Sequence, residues 1–149
     1  MYPVFLIAHN WLRWAVVIAG VLIVAFSLVG WLRKHSWGNR ERIWGLIFTS
    51  AMDLQLLVGA LLYFVFSPLT TSAFSNFAAA MQNAAQRFFV VEHGFVMLLA
   101  VIFAHLGSVL SKKAADDAGK FRRSVIWYSL ALLFVLAMIP WDRPLLRGL

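Results

Sequence analysis

Residues 3–32 read PVFLIAHNWLRWAVVIAGVLIVAFSLVGWL, a run broken by a single formal charge at Arg13. Such a stretch spans about 45 Å as an α-helix, enough to cross the roughly 30 Å hydrocarbon layer of a bilayer. Trp31 marks the interface at its end, where amphipathic rings settle. Three more apolar runs follow, at about 43–66, 88–110 and 124–139, the second ending at Ser67-Pro68 and the last at Pro140-Trp141. The reading is all-α: one integral membrane domain, a four-helix bundle over residues 1–149.

Composition agrees. Of 149 residues 62% are hydrophobic and 13% charged, with mean hydropathy +0.82. A water-soluble domain of this size could not hide that much apolar surface. There is no cysteine, which excludes disulfides, iron–sulfur clusters, thioether-linked haem and thiolate catalysis. The N-terminus has neither a basic leader nor a small-residue cleavage site before a short apolar stretch, so the first helix reads as retained.

The formal charge of +7 is unevenly placed. Arg33, Lys34, Arg40 and Arg42 lie between the first two runs, and Lys112, Lys113, Lys120, Arg122 and Arg123 between the last two. Residues 68–86 carry no charge. The positive-inside rule puts the basic loops in the cytoplasm and both termini outside, in the periplasm of a bacterial inner membrane; Arg143 and Arg147 oppose it. No motif for nucleic acid accompanies the charge. In the uncharged loop Phe74, Phe77, Met81 and Phe88 recur at helical spacing, so this segment reads as a short interfacial helix or an extension of the third span.

Ionisable side chains inside such runs usually serve function. His9 and His93 both fall in the outer half. Counted by helical rise, they lie roughly 36 Å and 28 Å from the basic residues Arg33 and Lys112, a mismatch of about 8 Å that tilt can absorb. Two neutral imidazoles facing each other across a bundle are the axial ligand set of a b-type haem. Arg13, one turn after His9, suits a propionate clamp, since guanidinium grips a carboxylate in a bidentate fork. Glu92 and Asp53 are alternative partners for Arg13, and Arg87 is a second propionate candidate. The competing reading is a hydrogen-bonded set that only fixes helix packing.

His105, about three turns after His93, sits in the inner half with no histidine at matching depth. It could ligate a second haem or a chlorophyll, pair with a second copy of the chain, or hydrogen-bond Asp53. Asp53 could be protonated, paired with Arg13, or orienting His105. Along the second helix Ala51, Gln55, Gly59 and Tyr63 share a face at i, i+4 spacing, where small residues admit a helix or a flat ring.

At these residues the chain resembles a group of small bacterial four-helix membrane proteins described as cytochrome b-like. The resemblance rests on His9 with Leu12-Arg13-Trp14, Asp53-Leu54-Gln55 with Gly59 and Tyr63, Glu92-His93 with Met97, His105-Leu106-Gly107, and Ile139-Pro140-Trp141. It implies a haem-linked electron carrier or redox subunit. Larger two-haem cytochromes carry a second cross-helix histidine pair, which this chain lacks.

The expectation is therefore a membrane protein with one haem b and a second in question, iron ligands His9 and His93 with His105 for any second iron, and cofactor contacts from Arg13, Gln55, Asp53, Arg87 and Glu92. It would pass single electrons, as a carrier rather than a stand-alone enzyme, to or from quinol or a larger redox complex, alone or as a homo-oligomer. The alternatives are a non-catalytic accessory subunit of a respiratory or photosynthetic complex and, behind it, a small proton-coupled transporter. No hydrolase triad, zinc-protease motif or phosphate-cradling loop appears.

Overall fold

The computed structural model describes residues 1–143, which contain helices and no strand. Arg147, counted in the charge reading, lies outside the described residues. The long helices are α1 (Tyr2–Leu32), α2 (Asn39–Leu61), α6 (His93–Lys112) and α7 (Asp117–Ala137), with three short helices between α2 and α6: α3 (Pro68–Thr71), α4 (Phe77–Gln82) and α5 (Ala84–Arg87). A π turn over Leu62–Phe66 prolongs α2, and another over Phe88–Glu92 joins α5 to α6.

Three helical stretches are long and apolar enough to cross a membrane: Tyr2–Leu32, Asn39–Phe66 and Ala84–Lys112. Their exposed apolar faces, with Ile18, Leu57, Phe95 and Ile102 among the outward residues, are consistent with contact with lipid. The fourth long helix differs. It begins seven residues before the apolar run, because Asp116 caps it by accepting from Gly119 N–H at 2.9 Å, and its first turns carry Asp117, Lys120, Arg122 and Arg123.

Helix α1 packs on α2 and α7, and α6 packs on α7 and α2, closing a ring of four. The core is built from small residues that let large ones interlock. Val16, Ala19 and Ile23 of α1 meet Phe48 and Met52 of α2, Ala100 and Ala104 of α6, and Tyr128, Ala131 and Val135 of α7. A Cβ on Gly107 would lie 2.8 Å from the Tyr128 ring, so only glycine lets α6 and α7 approach there. Without bulk hydrophobic force between helices in lipid, such packing and interhelical hydrogen bonds hold the assembly. One such bond joins the fully buried hydroxyls of Ser27 and Ser124 at 2.7 Å.

The α1–α2 connection is tied by Glu41. It is buried, takes Arg40 at 2.8 Å and accepts from Gly38 N–H. The 68–86 segment divides both sequence expectations. Phe77–Gln82 forms a separate short helix capped by Asn76, while Ala84–Arg87, capped by Asn83, runs on into the third long stretch.

Candidate functional site: two imidazoles across a cavity

His9 of α1 and His93 of α6 face each other. Their ring centroids are 6.4 Å apart and their planes meet at 64°. Both line a cavity of about 680 Å³ whose wall is mostly apolar and whose polar members include Asn10, Arg13 and Gln55. The depth mismatch counted from the sequence closes in the fold, because nothing requires Arg33 and Lys112 to sit at one level.

Each imidazole is positioned differently. His93 Nδ1 lies 3.0 Å from Met138 O. Helix α7 ends at Ala137, just before Ile139-Pro140, so the carbonyls of its last turn have no helical partner. With Nδ1–H donated to the Met138 carbonyl, the proton is fixed on that nitrogen and Nε2 is left with its lone pair. His9 packs its Cε1 edge on Gly59, where an added Cβ would come within 3.2 Å. Gln55 donates from Nε2 to the His9 carbonyl at 2.9 Å. His9 Nδ1 and Gln55 Oε1 are both buried without a hydrogen-bond partner.

The arrangement can be tested against the group it implies. The centroid spacing of 6.4 Å leaves room for one metal ion between the two imidazoles, given metal–nitrogen bonds of about 2 Å. The cavity lies within the roughly 300–1,000 Å³ of cofactor sites. The donor set also fits, with two imidazoles, one of them braced by a backbone carbonyl, and the guanidinium of Arg13 in the same wall. No cluster of three or more His, Cys, Asp or Glu occurs among the described residues; a porphyrin brings its own four nitrogens and asks only two ligands of the protein.

Other expected members lie elsewhere. Glu92 and Arg87 are about half exposed and bond to each other at 2.9 Å, so Glu92 is engaged by Arg87 on the surface. Asp53 and His105 do not line the cavity. They point outward from α2 and α6 and bond at 2.8 Å, which realises the Asp–His pairing among the readings open for them and takes His105 away from this ligand set. Arg13 is buried, with its guanidinium carbon 5.3 Å from the Trp14 ring centroid.

Two contributors were not singled out from the sequence. The Met138 carbonyl is one, foreshadowed by the helix stop at Pro140. The other is Arg143, which lines the cavity and lies 4.4 Å over the Phe89 ring; read as a charge against the topology rule, it stands in the wall of the site. Tyr63 OH closes the same end by donating to Val90 O at 2.8 Å, one π turn to the other. No family model, curated protein or solved structure matches the chain.

Proposed function

We propose that the chain is a membrane-embedded b-type haem protein that carries single electrons, in which His9 and His93 would hold the iron of one haem. The observation that carries this reading is the facing imidazole pair at 6.4 Å with His93 braced by the Met138 carbonyl. When bound, the iron would supply one-electron exchange; the protein supplies ligation, dielectric and charge.

The residues divide that work. His93 presents Nε2 in one tautomer. His9 stands on the flat floor that Gly59 leaves. Its unmatched Nδ1 and the unmatched Gln55 Oε1 belong to residues already joined through the His9 main-chain carbonyl, and with the proton on Nδ1 their pairing would orient the second ligand as Met138 orients the first. Arg13 and Arg143, both in the cavity wall, would hold the propionates. The apolar wall excludes water, which strengthens each of these interactions.

In this reading α7 is the fourth span, from about Ser124 to Ile139, completing a four-helix membrane bundle with both termini on the periplasmic side of a bacterial inner membrane. The test is a dithionite-reduced minus oxidised spectrum of the purified protein with pyridine haemochrome quantification. One haem per chain, lost in His9→Ala and in His93→Ala and kept in His105→Ala, is the expected result. Purified protein with no b-type band after expression with haem supplied overturns it.

A further inference from the structure

The Asp53–His105 pair sits where polar groups are least expected. Both side chains are half exposed, at 51% and 50%, on the outer faces of α2 and α6, well inside helical stretches long enough to cross a membrane. Exposed apolar residues flank them. On α2 Leu46 and Leu57 share the face of Asp53, and on α6 Leu98, Ile102 and Val109 share that of His105, at the i, i+4, i+7 spacing of a helix–helix seam. In hydrocarbon a polar group needs a partner. Each of these two has one, at 2.8 Å through Nε2 and Oδ1. The other imidazole nitrogen and the second carboxyl oxygen have none among the described residues.

What the open edge of the pair offers follows from net charge, not from how the two groups share their protons. Hydrocarbon penalises a net charge heavily, and the pair without one holds two protons. One lies in the Nε2–Oδ1 bond, whichever group owns it. The other is on Nδ1 or on the second carboxyl oxygen. Every such arrangement leaves one donor and one acceptor, side by side at one depth, and that edge complements itself. A two-fold axis along the membrane normal keeps depth and exchanges left for right. It sets Asp53 against the partner's His105, packs α2 on the second copy's α6, and closes a ring of four hydrogen bonds. The same rotation lays the two apolar stripes of one copy on those of the other.

We infer that the outer face of α2 and α6 is the seam of a symmetric dimer, in which a second copy of this chain closes the Asp53–His105 pair. The occupant has to come from within the membrane, since Asp53 lies about 16 Å of helix from Arg42 and His105 about 10 Å from Lys112. The pair fixes partner and register, as a single polar layer does in an otherwise apolar helix seam. Neither the seam nor its test depends on a bound cofactor.

The chain contains no cysteine, so single introduced thiols can report the seam. Chains carrying Leu57→Cys and chains carrying Ile102→Cys are coexpressed and oxidised in the membrane. Leu57 and Ile102 lie on the same face as the pair, each about one turn from it. The two-fold axis sets α2 beside the second copy's α6 and diagonal to its α2. The expected product is therefore a disulfide between positions 57 and 102, in excess of either homodimer. Ile18→Cys, exposed on α1, should link to neither. This arm leaves the pair intact and needs no altered pair to fold. Beside it, energy transfer between labelled copies in vesicles of increasing lipid content gives the dimer affinity. Asp53→Leu and His105→Leu should each weaken association about tenfold, as loss of interhelical hydrogen bonds predicts. The exchanged pair, Asp53→His with His105→Asp, should restore it, because the edge still complements itself. A chain monomeric at every lipid content overturns the seam. So does linkage through Ile18→Cys as strong as that between 57 and 102, or single leucine variants that associate as the unaltered chain does.

Discussion

Gly59 gives the sharpest test of the imidazole pair, because one substitution should move helix stability and cofactor affinity in opposite directions. A Cβ at Gly59 would lie 3.2 Å from His9 Cε1 and 3.6 Å from His9 Nδ1. The first distance is tighter than ordinary contact, so the ring must give by a few tenths of an ångström. Without cofactor it can tilt into the cavity, and Gly59→Ala then gains up to about 1 kcal/mol of helix propensity. With His9 pinned to an iron that freedom is gone. The same methyl acts as overpacking, about 1–3 kcal/mol, or roughly 5- to 150-fold in haem affinity. Gly38→Ala is the control, since Gly38 lies outside the cavity wall and its Cβ would meet only Glu41 Oε2 at 3.7 Å, an ordinary contact. The assay is haem transfer to an excess of a haem-scavenging apoprotein, followed by visible absorbance, with thermal unfolding of the haem-free protein measured beside it. Gly59→Ala should lose haem faster while its haem-free form melts no lower. Identical haem loss by Gly59→Ala, Gly38→Ala and the unaltered chain would refute the reading of His9 as a ligand.

Two further predictions concern structure. Ser27→Ala should destabilise the protein by about 1–2 kcal/mol by stranding the Ser124 hydroxyl, and the Ser27→Ala, Ser124→Ala pair should cost less than the sum of the single changes; denaturant unfolding of a double-mutant cycle checks this. Outside the apolar segments, the hydrogen bond from Lys120, with one from the Trp37 backbone, holds the Asp117 carboxyl below the usual carboxylate range. A depressed folded-state value means that whatever stability this contact gives is present above the ordinary carboxylate pKa and is lost as pH falls through the depressed one. Carboxyl NMR titration should show the Asp117 midpoint rising toward the ordinary value in Lys120→Met, and an unchanged midpoint would show the bond to be absent.

What the sequence made legible follows from which signals are local. The apolar runs gave the three membrane-length stretches, because length and hydropathy are counted along the chain. The first turns of α7 were missed since Asp117, Lys120, Arg122 and Arg123 look like loop, whereas the Asp116 cap starts a helix there regardless of polarity. His9 and His93 were found as ionisable groups in apolar sequence, and the fold brings them together. The direction in which Asp53 and His105 point was not legible, because it depends on how α2 and α6 rotate against their neighbours. The Met138 carbonyl was hidden for another reason: a main-chain acceptor has no side-chain signature, and only the end of a helix exposes it.

That carbonyl also sets an order in time. His9 lies at the start of the chain, but the oxygen that bonds His93 Nδ1 comes from residue 138, beyond the last long helix. A chain still being synthesised holds both imidazoles long before it holds the group that fixes one of them. The complete site exists only once α7 has docked on α1 and α6, so a cofactor held by the proposed pair would enter at the close of assembly rather than nucleate it. Truncation just before Met138 would leave both histidines in place and the second of them without its brace.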